Sequence, residues 1–115
     1  MKKDRVYLTH ILDAISDIEK FMKGVSEVEF FENREKQYAV LRALEIIGEA
    51  TKNLSNELKT QSAGIHWKNI AEMRDKLIHA YFGVNLPLVW ETVKKDLPQL
   101  KKQVIKILET SNDAA

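Results

Sequence analysis

The stretch Arg74-Asp75-Lys76-Leu77-Ile78-His79-Ala80-Tyr81 puts a permanent cation, an imidazole and a phenol within about two helical turns. Arginine can hold an anion, histidine can give or take a proton near neutrality, and tyrosine offers a hydroxyl. At roughly 100° per residue, a helix through this stretch carries Arg74 and Tyr81 on one line with Trp67, Ala71 and Ile78. His79 then lies more than a quarter-turn round. Asp75 falls one turn before His79, where its carboxylate would hold the second ring nitrogen.

An arginine on such an apolar line needs a negative partner, because a buried guanidinium without one is costly. One reading supplies the partner internally: a salt bridge to Glu45 or Glu49, with His79 as a capping histidine at the helix C-terminus. The other supplies it from outside, as an anionic ligand, and makes the segment a binding or catalytic site. Spacing alone leaves both open.

The elements that must position this stretch are helices. The 115 residues hold four glycines and two prolines, and Leu, Ile, Glu, Lys and Ala dominate. Tyr7, Ile11, Ala14, Ile15, Ile18, Phe21 and Met22 recur at helical spacing, with Gly24 where that helix should end. A connector over residues 28–31 leads to a second helix, expected to be the longest, with Asn33 before it and a stripe through Tyr38, Leu41, Leu44, Ile47, Leu54 and Leu58. Gly48 interrupts that stripe, which points to the close approach of a neighbouring helix.

Residues 60–64 read as a loop, and a third helix from Trp67 should end near residues 81–83. Asn85 and Asp96 each stand two positions before a proline, as N-caps do, and Gln99 completes a capping-box spacing after Asp96. The apolar stripe keeps its register across the break, so two consecutive helices, or one kinked at Pro98, should cover one core face. Residues 111–115 should fray. Packing these stripes predicts a single all-α domain over residues 1–115, an antiparallel up-and-down bundle of four to five helices.

Composition excludes several function classes. Without cysteine there is no thiolate nucleophile, disulfide framework or thiolate zinc site, and a cytoplasmic location is the simple expectation. No apolar run is long enough for a signal peptide or a membrane span. Eighteen basic and seventeen acidic residues give a net charge of +1, so any nucleic-acid contact must be local. His10, His66 and His79 lack metal-ligand spacing on one helix, so no metal site is expected. Trp67 and Trp90 sit on core stripes and are read as core rather than as base-stacking platforms; His10 is read as a packing residue and His66 as part of a loop.

Arg74-x-x-x-x-His79-x-Tyr81 at the end of the third helix resembles the signature of the HEPN superfamily, in particular its HepT-like branch. The likeness extends to residues 8–15, to residues 37–50, to Trp67, to residues 74–82 and to Val89-Trp90, in order and spacing. Two departures are visible. Asp75 stands where many relatives have asparagine, and Ala80 where a polar residue is common. The acidic Asp75 would weaken attraction for RNA or raise the pKa of His79.

The resemblance implies a metal-independent ribonuclease, the toxin of a toxin–antitoxin pair, acting as a homodimer with the motifs of two protomers in one cleft. In that site Arg74 is read as a phosphate clamp and His79 as general acid or base; Asp75 and Glu49 are secondary residues, Glu49 either polarising the site or, as the simpler reading, pairing with Arg74. No cofactor is implied. The partner is a minimal nucleotidyltransferase antitoxin, which uses ATP to adenylylate the tyrosine matching Tyr81 and so silences the toxin. The alternatives are a nucleotide-binding or protein-interaction module of the same fold without catalysis, and a purely structural bundle partner.

Overall fold

Leu8, Ile11, Ile15, Ile18 and Met22 fall on one face of a helix and bury it, and that face organises the rest of the chain. The structure, a computed structural model, describes the backbone of residues 2–79 and 83–114; the side chains of residues 2, 74, 77–79 and 111–114 lie outside the described set. The first helix, α1 (Lys2–Met22), ends where Gly24 takes a φ of +72°, a conformation that costs glycine little.

Residues 28–31, expected as a connector, belong to a short helix α2 (Glu27–Glu32). Ser26 caps it by accepting the Glu29 N–H at 3.1 Å, and Phe30 is completely buried against the core. The cap pairs Ser26 with Glu29, a capping-box spacing that the sequence displays and the expectation missed. Asn33 then opens α3 (Arg34–Lys52) by accepting the Lys36 N–H at 3.0 Å, as anticipated.

The second expected helix is divided. α3 stops at Lys52 and α4 (Asn56–Gln61) begins after Ser55, so α1, not α3, is the longest element among the described residues. A tertiary contact causes the division. Asp4, buried at the start of α1, accepts the Ser55 backbone N–H at 2.7 Å and its hydroxyl at 2.6 Å, and the Ser55 Oγ in turn caps α4 through the Leu58 N–H. A carboxylate held in this way must be satisfied by groups a continuous helix would have hidden.

α1 and α3 run antiparallel, since Asp4 meets Ser55 at one end while Lys36 Nζ donates to the Phe21 carbonyl at the other. The last helix, α8 (Leu97–Ala114), also runs antiparallel to α1: Lys101 pairs with Glu19 at 3.0 Å, and Arg5 donates to the Leu108 carbonyl. It continues beyond residue 111, where fraying was expected to begin. Val40, Leu44, Ile47, Val89, Val104 and the α1 face fill the space between these helices, so the all-α bundle expected from the sequence is the architecture observed.

After the site segment, α7 (Leu86–Glu91) starts at Asn85, whose side chain accepts the Leu88 N–H as expected. Asp96, expected as an N-cap, does not open a new helix. The chain passes from α7 into α8 through a π-helical turn, Thr92–Asp96, in which the Leu97 N–H reaches back five residues to the Thr92 carbonyl. Pro98 has no N–H to offer the carbonyl four residues earlier and its ring would crowd it; widening the preceding turn relieves both problems without a break.

Candidate functional site

The chemistry-bearing stretch is held by three short elements laid on α3. α5 (Trp67–Ala71) is anchored at its start, where the buried Trp67 donates its indole N–H to Ser62 Oγ at 2.8 Å and that hydroxyl donates to the Leu58 carbonyl. At its other end, α5 comes down on Gly48. A Cβ placed there would lie 3.4 Å from the Ala71 carbonyl oxygen and 3.6 Å from that of Ile70, so the glycine gives the close approach its spacing suggested.

Glu72 separates α5 from α6 (Met73–Leu77), with its carbonyl accepting the N–H groups of Asp75 and Lys76. α6 packs on α3 and carries Arg74. The helix ends at Leu77, four positions short of the first residue at which its end was expected. Ile78 and His79 are extended and pair antiparallel with Gly83 and Val84, in the register Ile78 with Val84 and His79 with Gly83. These strands are β1 (Ile78–His79) and β2 (Gly83–Val84).

This corrects the helical-wheel reading of the motif. Arg74 is helical while Ile78 and His79 are extended, so the helical line from 74 to 78 does not exist, nor does the one-turn relation between Asp75 and His79. The physical reason is local. Gly83 adopts a φ of +85°, open to glycine at little cost, and this lets the chain pair backward on a β-branched residue that favours extension. Tyr81, with Ala80, lies outside the described residues, as do the side chains of Arg74 and His79.

The secondary residues are described. Asp75 is exposed and engaged in an interaction of its own, and Glu45 on α3 is half-buried and also engaged. Glu49 is exposed and pairs with Lys52 at 3.4 Å, a contact of small energetic worth at such exposure. His66 stands exposed at the start of α5, and His10 is exposed with its ring edge-on to Tyr7 at 6.0 Å. Trp67 is core, as read; Trp90 is half-buried, 6.0 Å from the Phe30 ring, with Lys94 Nζ 4.7 Å from its own ring centre.

An open cleft of about 450 Å³ lies on the other side of α6, lined among the described residues by Ile70, Met73, Lys76, Leu88, Leu97 and Leu100 and by polar groups at its rim. Met73 and Lys76 bring it within two residues of Arg74 along the chain. Its floor is apolar and its volume is no argument for catalysis; the cation and imidazole of the motif are better guides.

The chain matches, over residues 11–107, the family described as ribonuclease HepT-like. It is 52% identical over 110 residues to a protein of Methanocaldococcus jannaschii named "Gamma-glutamylcyclotransferase and putative RNase", covering 95% of this chain and 50% of that one. It therefore spans half the length of that relative. A "Putative RNase" of Caldanaerobacter subterraneus subsp. tengcongensis is 48% identical over 109 residues, with 95% of this chain and 97% of the relative covered. A "Probable ribonuclease HepT" of Thermococcus cleftensis is 48% identical over 101 residues, with 88% and 92% covered. No solved structure matches.

Proposed function

Because the chain belongs to the HepT-like ribonuclease family, we propose that it is a metal-independent endoribonuclease whose reaction centre is built from Arg74 and His79. One observation carries the reading: the family match over residues 11–107 encloses Arg74-x-x-x-x-His79-x-Tyr81 together with the stretch of α3 that backs it. Relatives that align along nearly their whole length bear RNase names, which supports the same class of activity.

Cleavage of RNA without a metal uses the ribose 2′-hydroxyl as nucleophile. The 2′-oxygen forms a bond to phosphorus as a base removes its proton; the bond from phosphorus to the 5′-oxygen breaks as an acid protonates that oxygen. The products are a 2′,3′-cyclic phosphate and a free 5′-hydroxyl. Arg74 meets the charge that builds on the phosphorane, with two parallel N–H groups that lysine cannot reproduce. His79 takes one of the two proton roles. A homodimer with the motifs of both protomers in one cleft supplies a second imidazole for the other.

Regulation follows from the third motif residue. A nucleotidyltransferase antitoxin would transfer AMP from ATP to the Tyr81 hydroxyl, forming a phosphodiester on the phenolic oxygen and releasing pyrophosphate. The added anion would compete with RNA for Arg74. The protein is in this reading the toxin of a cytoplasmic toxin–antitoxin pair. Among the described residues no helix is long and apolar enough to cross a membrane.

The purified protein should cut RNA and leave DNA of the same sequence intact, since deoxyribose lacks the nucleophile. His79→Ala should lower the cleavage rate by about 10²- to 10⁴-fold with an unchanged circular-dichroism spectrum and melting temperature. Undiminished cleavage by that variant would remove His79 from the chemistry, and RNA binding without cleavage by the parent protein would favour a non-catalytic module. Mass spectrometry after coexpression with the nucleotidyltransferase should find AMP on Tyr81, and Tyr81→Phe should escape silencing.

A further inference from the structure

On α3 Val40, Leu41, Leu44 and Ile47 are buried, whereas Ile46 is 36% and Tyr38 60% exposed. Its ring is not left to wander. Arg34, one turn earlier, donates to the phenolic oxygen at 2.8 Å and holds its guanidinium carbon 5.6 Å from the ring centre. One turn later Arg42 is exposed and forms no ion pair among the described residues. The arrangement is a solvent-facing aromatic ring between two arginines spaced about 12 Å apart along the helix. Of the acids that follow, Glu45 has an interaction of its own and Glu49 pairs with Lys52.

The position of this strip relative to the motif follows from the packing of α5 and α6. Gly48 lies against the carbonyls of Ile70 and Ala71, and from there α6 stays on α3 while α7, further along, touches α2 and its Phe30 ring meets Trp90. The chain after Ala71 therefore runs back toward the N-terminal half of α3. From Gly48 to Tyr38 is ten residues, about 15 Å of helix. From Ala71 to His79 the helical and extended rises together advance about 15 Å. That reach is long enough to bring the His79 backbone level with Tyr38. On the α3 wheel Tyr38 stands roughly 80° round from Gly48.

We infer that Arg34, Tyr38 and Arg42 form a platform for single-stranded RNA, with a base stacked on the Tyr38 ring and the phosphates on either side drawn to the two arginines. The inference rests on the ribonuclease reading for its substrate class and extends it to a residue set outside the motif. An aromatic ring accepts any base because every base has a π-face, and an arginine on each side offers a cation to the flanking phosphates. A ring preordered by Arg34 gives up little freedom on binding.

Binding is measured apart from cleavage, by fluorescence anisotropy of a labelled, unstructured RNA oligonucleotide on the dimer or monomer as purified, in a His79→Ala background. Tyr38→Ala should weaken binding about 5- to 100-fold, as loss of one stacked base does, while Tyr38→Phe should stay close to the parent. Arg42→Ala should make the dependence of binding on salt shallower by about one phosphate contact. Unchanged binding by Tyr38→Ala, equal losses in the Ala and Phe variants, or no RNA binding by the parent would each overturn the platform. So would a Tyr38→Ala protein that sediments as a smaller species with its RNA affinity intact, because the ring would then belong to an interface between copies. A parent that binds RNA through Tyr38 but never cuts it would leave the platform standing and remove the ribonuclease reading instead.

Discussion

The bundle formed by α1, α3 and α8 and the segment from α5 to β2 are built on opposite principles. In the bundle, long helices bury continuous apolar faces, and single polar ties such as Glu19 with Lys101 add little to what burial already fixes. In the segment, two helices of five residues and two strands of two residues follow one another, none long enough to persist alone. Their geometry is borrowed through a few contacts: Trp67 on Ser62, the α5 carbonyls on Gly48, and α6 on α3. The candidate motif thus lies on the shortest elements of the fold, carried by a scaffold of long helices.

Substitutions in the two regions should therefore separate stability from activity. Phe30→Ala empties a completely buried site under Trp90 and should cost about 3–5 kcal/mol of stability by chemical denaturation. Activity should fall only as far as the folded fraction falls, and a folded but inactive Phe30→Ala protein would break the separation. Gly48→Leu should do the reverse. A side chain there meets the carbonyls of Ile70 and Ala71, and pushing α5 away by about 1 Å should lower RNA cleavage about 100-fold while stability changes by no more than about 1–3 kcal/mol.

Asp4→Ala tests a tie within the scaffold and should destabilise by about 1–3 kcal/mol, since Ser55 loses its carboxylate partner and α4 its fixed start. Hydrogen exchange should show the loss spread from α4 into the Trp67 anchor. Gly48→Ala is the smallest change: the new methyl sits at ordinary contact distance, and removing a mid-helix glycine should raise stability by up to about 1 kcal/mol with cleavage intact. A large loss from that methyl alone would mean that α5 and α3 are closer in solution.

Much of the scaffold was legible along the chain because its signals are local. Asn33 and Asn85 cap the helices they were expected to cap, Gly24 ends α1, and Gly48 marks a crossing. The errors arose in one place where a distant residue decided and in two where a nearby one did. Lys52 and Asn56 look continuous until Asp4 reaches Ser55, and Asp96 looks like a cap until a widened turn absorbs Pro98. At the site, the motif's residue types and spacing were visible, but the helical line drawn through them was not real, because pairing with Gly83 and Val84 takes Ile78 and His79 out of the helix. Tyr38 carried no signal at all: on the wheel it resembles a core position, and its exposure became evident only once α1 and α6 had taken their places.

By itself, the sequence determined the helical class, the Asn33 and Asn85 caps, and the residue types and spacing of the candidate motif, because each depends on short-range pattern. Tertiary structure decided where α3 divides, that the motif turns from helix to strand between Arg74 and His79, and which face of α3 remains open beside it. The first and last depend on contacts between segments dozens of residues apart and the second on a pairing across a few residues, and residue type alone does not encode which of two locally acceptable conformations such a contact will select.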